Sequence, residues 1–151
     1  MILTSEDLRE SKIFMYWTTV KRWASAAYGL TYSDVEMLMS LHCKKRFTNE
    51  GFSDSAMVFS WDKHRFGSLV KNGWIELYIS KSAKKNKKNI YRPSRKTNDM
   101  VNKIYRILLG EEEIPVNRRS PFWKNRTYTD KVMQTSIGNM KRDYNEDRSV
   151  F

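Results

Sequence analysis

The sequence lacks the features that are typical of proteins in an oxidising compartment or in a membrane. Cys43 is the only cysteine, so no disulfide can form within the chain, which favours a reducing environment. No stretch approaches the roughly 18 consecutive apolar residues of a membrane span. The opening residues, MILTSEDLRESK, become polar and acidic too early for a secretory signal. We therefore expect a cytoplasmic protein without a membrane partner.

Motifs that carry chemistry are also missing. The chain contains no glycine-rich phosphate loop, no GxSxG and no HExxH. There is no second cysteine for a zinc site, and His42 and Cys43 do not form a chelating pair, because adjacent helical positions point about 100° apart. Asp34, Glu36 and the run Glu111-Glu112-Glu113 are typical of a helix cap and solvated charge rather than of an acid–base pair. The sequence predicts no enzyme activity, no cofactor and no metal.

Positive charge is what the sequence has in excess. Lys and Arg number 28 against 17 Asp and Glu, a formal net charge of +11. The stretch YISKSAKKNKKNIYRPS contains no acid, and it concentrates five lysines: Lys81, Lys84, Lys85, Lys87 and Lys88. This balance indicates a polyanionic partner, nucleic acid first and an anionic membrane surface second. A protein that is merely basic has the same composition.

Hydrophobic spacing predicts one mainly α-helical chain with a small β-hairpin. Residues 1–30 form an N-terminal helix that begins at Ser5 and ends at Gly29. Residues 31–94 form a second segment of three helices and the hairpin. The predicted starts of its helices are the cap Thr31, Ser53 and the cap Ser60.

Residues 95–151 are predicted to be helical at both ends. A long helix follows the cap Ser94 and stops at Gly110, and a last helix begins at about Asp130. A proline-punctuated connection, EEEIPVNRRSPFWKNR, lies between them. The last helix has an apolar seam of alternating four- and three-residue steps, which is typical of helix–helix association.

Three helices followed by a hairpin are the order of a winged helix-turn-helix. The segments LTYSDVEMLMSL, LVKNGWIE and YRPSRKTNDMV resemble the opening helix, the helix-to-wing junction and the returning wing strand of MarR-type regulators. The resemblance covers about residues 5–110. It implies a homodimer of the first and last helices on a pseudo-palindromic operator, although Lys and Asn replace the wing's usual Asp-Arg pair. A small Lys- and Asn-rich regulator would suit a bacterium or a phage, and hence the cytoplasm of a bacterial cell or phage-infected host.

In that architecture the third helix enters the major groove and the wing lies on the backbone or in the minor groove. Phe66, Leu69 and Val70 are predicted to face inward. The helix then presents six residues to DNA: Ser60, Trp61, Lys63, His64, Ser68 and Lys71. Lys63 and His64 can donate to base edges and Ser60 suits a phosphate, whereas Trp61 either contacts a thymine methyl or closes the core.

The wing is predicted to contact phosphate without reading sequence, and a solvated loop is the alternative. Its predicted contact residues are Lys81, Lys84, Lys85, Lys87, Lys88 and Arg92. The run Lys44, Lys45 and Arg46 is interpreted as a solvated helix end, where the helix dipole favours cations.

The first helix carries more apolar surface than one small domain usually covers. Predicted dimerisation residues on the first and last helices are Phe14, Trp17, Val20, Met133, Ile137 and Met140. The expected function is sequence-specific double-stranded DNA binding in transcription regulation. The alternative function is an adaptor that docks on RNA polymerase or a replication complex through the basic, aromatic tail. If the protein is not an adaptor, we interpret the tail as a dimerisation helix that follows a basic linker. Non-specific DNA packaging, a third option, needs only the charge.

Overall fold

The computed structural model of the protein describes residues 2–59, 64–80, 88–117, 119–124 and 127–149. In this part of the chain there are seven helices and one two-stranded antiparallel sheet. In chain order they are α1 Ser5–Glu10, α2 Ile13–Tyr28, α3 Tyr32–Lys44, α4 Asn49–Phe59, α5 Arg65–Lys71, β1 Ile75–Ile79, β2 Ile90–Pro93, α6 Arg95–Leu108 and α7 Tyr128–Ser149. The predicted class, mainly helical with a small hairpin, is confirmed.

The chain divides into two compact units. The hairpin unit, Thr31–Asn102, contains α3, α4, α5, both strands and the first part of α6. The terminal unit, Met1–Leu30 with Lys103–Phe151, contains α1, α2, the end of α6 and α7. The first boundary follows Gly29, whose φ of 67° ends α2 in the left-handed conformation that glycine adopts without strain.

The N-terminal segment is two helices, not the single helix that its spacing predicts. Thr4, rather than Ser5, is the N-cap, and it forms a reciprocal capping box with Asp7. This hydrogen bonding, first from the Thr4 backbone, lowers the pKa of Asp7. The helix then breaks at Ser11, which is extended and whose hydroxyl donates to the Leu8 carbonyl at 2.9 Å. A serine bonded to the backbone in this way competes with the helical pattern.

Helix α3 starts where its sequence predicts, because Thr31 and Asp34 form the expected capping box. The connection to α4 differs from the prediction. Helix α4 starts at Asn49 rather than Ser53, and the Thr48 hydroxyl accepts the Gly51 N–H at 3.1 Å, as an N-cap side chain does. Residues 49–52, which precede the predicted start at Ser53, are therefore helical.

The hairpin is built as an antiparallel ladder that pairs Ile75 with Pro93 and Glu76 with Arg92. A register irregularity between Leu77 and Ile79 interrupts the ladder, and Leu77 is exposed. Beyond the ladder, Phe47 pairs with Tyr91 through N–H···O contacts of 3.0 and 2.8 Å, a strand contact that the spacing does not predict.

The start of α6 is bonded to the hairpin. The Ser94 N–H and the Thr97 hydroxyl both donate to the Trp74 carbonyl, at 3.1 and 2.6 Å. Thr97 is fully buried, and its own N–H donates to the Ser94 hydroxyl at 3.4 Å, in agreement with Ser94 as the cap. A buried carbonyl that accepts two hydrogen bonds holds the strand end and the helix start together.

In the terminal unit, α2 packs against α7. The apolar side chains buried in this unit are Tyr16, Val20, Trp23, Ala24, Leu30, Ile104, Ile107, Leu108, Ile114, Met133, Ile137 and Met140. Thr19 and Ser136 share a hydrogen bond of 2.5 Å, and Lys12 forms an ion pair of 2.8 Å with Asp147. Among the described residues, no helix has the length and apolar content needed to cross a membrane.

We expect Gly110→Ala to destabilise the terminal unit by about 3 kcal/mol. Gly110 has a φ of 76°, and a Cβ there would lie 2.7 Å from Cδ1 of the Tyr144 ring, so the substitution adds a clash to backbone strain. Gly29→Ala is the matched control, because Gly29 has a φ of 67° and open space around it, and it should lose only about 1 kcal/mol. Urea unfolding measures both, and equal losses would contradict the packing explanation.

The stability of the terminal unit should fall above pH 10 through Tyr16. Burial, and then the hydrogen bond to Asp143, raise the pKa of Tyr16 to about 12. A raised folded-state pKa stabilises the fold below the unfolded pKa of about 10 and loses that contribution as pH rises through the folded value. Tyr16→Phe should therefore show a shallower decline of the unfolding free energy between pH 10 and 12, measured by urea unfolding. Tyr128→Phe, at an exposed position, should behave as the wild type, and a Tyr16→Phe profile identical to theirs would contradict this assignment.

Candidate nucleic-acid interface

The hairpin unit carries most of the excess positive charge. Residues 31–102 contain 14 of the 28 Lys and Arg but only 7 of the 17 Asp and Glu, so +7 of the formal net charge of +11 lies there. A field of this size attracts polyanions and speeds their association. The hairpin unit is therefore the candidate nucleic-acid interface.

Helix α5 has an inner face, which packs on the hairpin unit, and an outer face, which is exposed. Leu69 is buried, and the Phe66 ring packs edge-on at 5.0 Å from Phe52, as the prediction of an inward face requires. The exposed residues His64, Ser68 and Lys71 follow one another at steps of four and three, so they share the outer face. The other predicted recognition residues, Ser60, Trp61 and Lys63, lie outside the described residues.

The described part of the hairpin contains two of the predicted wing contacts. Lys88 is exposed and forms an ion pair with Glu50. Arg92 is exposed, and its Nε donates to Glu76 Oε1 at 2.7 Å. Lys81, Lys84, Lys85 and Lys87 lie outside the described residues. Both described cations thus have a carboxylate partner, which reduces but does not remove their attraction for phosphate.

Arg46 also lies beside the hairpin, although its sequence context suggests only a solvated helix end. Its Nη2 donates to the Tyr78 hydroxyl at 2.9 Å, and its guanidinium carbon lies 4.3 Å from the Tyr78 ring centroid. Arg92 reaches the same ring at 4.7 Å. The pairing of Phe47 with Tyr91 brings Arg46 beside the hairpin. In the sequence, the only indication of this contact is Phe47, a single apolar residue between α3 and α4, and that indication is weak.

A buried ion pair fixes the start of α5. Arg65 is 9% exposed and pairs through Nη1 with Asp34, the capping-box partner of Thr31 in α3. The same nitrogen lies 3.4 Å from the Thr31 hydroxyl. The Arg65 Nε is buried without a hydrogen-bond partner in the structure. Sequence reasoning assigned Asp34 only a cap, because a partner 31 positions away leaves no local pattern.

The predicted dimerisation residues lie in the terminal unit. Four of them are buried within the chain itself, because α2 and α7 pack on each other: Val20, Met133, Ile137 and Met140. Trp17 is half-buried, with the Lys21 ammonium 5.9 Å from its ring centroid. Phe14 and its neighbour Met15 are 73% and 67% exposed. Of the six predicted residues, Phe14 therefore keeps the most surface for a second copy.

The described ranges contain no candidate metal-binding site. No group of three or more His, Cys, Asp or Glu side chains comes together there to hold an ion. Cys43 is exposed on α3. What the hairpin unit assembles is cationic and aromatic: guanidinium groups, ammonium groups and a tyrosine ring. This chemistry suits phosphate contacts and stacking.

We expect the Asp34–Arg65 pair to show strong energetic coupling. Asp34→Asn leaves the buried guanidinium without its counter-charge and should cost about 3 kcal/mol. In an Arg65→Met background the same substitution should cost less than about 1 kcal/mol, since no buried charge remains to be compensated. A double-mutant cycle by urea unfolding measures the coupling, and additive losses would show that the pair is energetically unimportant.

Comparison with known proteins adds no assignment. The chain matches no protein-family model, no curated protein and no solved structure.

Proposed function

We propose that this protein is a sequence-specific double-stranded DNA-binding regulator of the winged helix-turn-helix type. In this proposal α5 enters the major groove and the hairpin lies along the backbone or minor groove. The observation that carries it is α5 itself. The helix buries Leu69, packs the half-buried Phe66 against Phe52, and turns three polar residues, His64, Ser68 and Lys71, outward beside a lysine-rich hairpin.

The dimensions of α5 suit a groove. Seven helical residues span about 10 Å, and the major groove of B-DNA is about 12 Å wide. Lys71 can donate to guanine O6 and N7, and His64 and Ser68 can also bond base edges. An apolar outer face would have suited a protein partner better, and this one is polar.

The order of elements in the hairpin unit supports the same proposal. Helices α3, α4 and α5 precede the hairpin, and the Phe47–Tyr91 bridge adds a short third extended segment to it. This order agrees with the resemblance to MarR-type regulators. A homodimer on a pseudo-palindromic operator, as the resemblance implies, is part of the proposal, and the exposed Phe14 and Met15 offer it apolar surface.

The adaptor alternative depends on the C-terminal tail. Its apolar residues Met133, Ile137 and Met140 are buried in the terminal unit. Phe122 and Trp123 are half-buried. The tail still exposes Val116, Tyr128 and Val132. We favour DNA binding because the outer face of α5 is polar.

DNA binding should depend on the wing lysines and on α5 in different ways. Lys84→Ala with Lys85→Ala should lower the slope of log affinity against log salt by about 2 on any duplex, since each phosphate contact contributes about 0.9. Lys124→Ala with Lys131→Ala removes the same charge from the terminal unit and is the control. Ser68→Ala with Lys71→Ala should instead lower the preference for a selected sequence, which we expect to bind at least about a thousandfold tighter than random DNA.

The measurement is a salt series of equilibrium binding to random duplex and to a duplex selected from a random pool. Equal slopes for the two lysine pairs would contradict a wing that contacts phosphate. A wild-type protein that binds no duplex at moderate salt would overturn the proposal as a whole and favour the adaptor.

A further inference from the structure

The hairpin carries a guanidinium cluster centred on Tyr78. The guanidinium carbons of Arg46 and Arg92 lie 4.3 and 4.7 Å from the same ring centroid, so they are within about 9 Å of each other. An aromatic ring attracts cations over its face. Two like charges this close repel each other, and the ring and its hydroxyl offset part of that repulsion.

The cluster lies on the sheet face that points away from α5. Tyr91 packs edge-on against Phe66 of α5, with ring centroids 4.8 Å apart. Arg92, the next residue, points to the opposite face because side chains alternate along a strand. There it meets Glu76 and Tyr78. This surface is therefore separate from the outer face of α5.

Only one of the two guanidinium groups is neutralised. Glu76 lies 2.7 Å from Arg92 and compensates its charge. Arg46 is exposed, and within the described part of the chain it has no carboxylate partner, only the ring and hydroxyl of Tyr78. The cluster thus presents one planar cation, Arg46, which has no carboxylate partner among the described residues and which uses one of its donors on Tyr78.

The backbone holds Arg46 in place on both sides. Lys45 has φ 65° and ψ −44°, and the Arg46 N–H donates to the Lys44 carbonyl at 2.7 Å, which defines a strained γ-turn. Phe47 on the other side is bridged to Tyr91 by two hydrogen bonds. A side chain fixed at its backbone and at its tip loses little freedom when it binds a ligand.

We infer that Arg46, held by Tyr78, is a phosphate-binding residue that contacts the DNA backbone outside the base pairs read by α5. The guanidinium fork matches two phosphate oxygens, and hydrogen bonds between charged groups are the strong ones. Tyr78 is a positioning residue, which orients Arg46 without touching DNA. The inference rests on the proposed function and extends the DNA contact from the wing tip to the sheet face.

Arg46→Ala should weaken binding of the full-length chain to random duplex about tenfold at moderate salt, the loss expected for one charged hydrogen-bonded contact. The salt slope should fall by about 0.9. Lys45→Ala is the matched control, because it removes an adjacent exposed charge of the same sign, and it should change both quantities much less. Arg46→Lys should keep the slope and recover only part of the affinity, because an ammonium lacks the fork.

Tyr78→Leu tests the positioning role, since it keeps the Arg46 charge and removes its support. We expect about threefold weaker binding with the salt slope unchanged. Thermal unfolding of each variant verifies that it is folded. If Arg46→Ala and Lys45→Ala behave alike while the wild type binds duplex, the inference fails and the proposed function stands. If the wild type binds no duplex, both fail.

Discussion

The hairpin unit depends on a cluster of four aromatic rings that joins elements distant in sequence. Phe47 lies 6.4 Å from Phe52, Phe52 lies 5.0 Å from Phe66, and Phe66 lies 4.8 Å from Tyr91, measured between ring centroids. The backbone bridge from Tyr91 to Phe47 closes the circuit. These contacts connect the segment after α3, helix α4, helix α5 and strand β2. Edge-on aromatic pairs add about 0.5–1.5 kcal/mol each beyond the area they bury.

This cluster explains how a strongly basic unit stays folded with its charges on the outside. Its rings lie on the inner side of α5 and of β2, so the residues on the opposite side of each element face outward. On α5 these positions are Ser68 and Lys71, and on β2 the outward position is Arg92. The apolar contacts thus determine which side chains a polyanion can reach. Binding a polyanion would then relieve the repulsion that the core alone has to offset.

Much of the fold follows from local sequence. The capping box at Thr31 and the stops at Gly29 and Gly110 each depend on a few neighbouring residues, and the structure has them where the sequence predicts. The early start of α4 and the break at Ser11 were missed because short polar side chains there bond to backbone groups in ways that compete with simple spacing. These errors are local and move a boundary by a few residues.

The candidate site was less predictable because its contacts are long-range. Arg65 and Asp34 are 31 positions apart, and Arg46 and Tyr78 are 32 apart, so no periodicity relates them. A lysine run also looks the same in sequence whether it is solvated or held against a ring. The outward face of α5 was accessible to reasoning, since one apolar triplet determined it. Helix caps, which depend on neighbouring residues, are therefore the most predictable features. The exposed face of a helix is less predictable, and pairs of residues distant in sequence are the least predictable, because they depend on tertiary contacts.

Three exceptions to local preference in the hairpin unit adjoin its proposed DNA-binding surfaces. Lys45 has a positive φ, Arg65 is buried with its Nε unpaired, and Leu77 is exposed beside a register irregularity. Each of these costs free energy that a chain selected for stability alone would avoid. Lys45 directly precedes Arg46, Arg65 begins α5, and Leu77 adjoins Tyr78. Such departures cluster where function constrains a fold. Their positions beside the two surfaces proposed to meet DNA are an observation independent of the charge count.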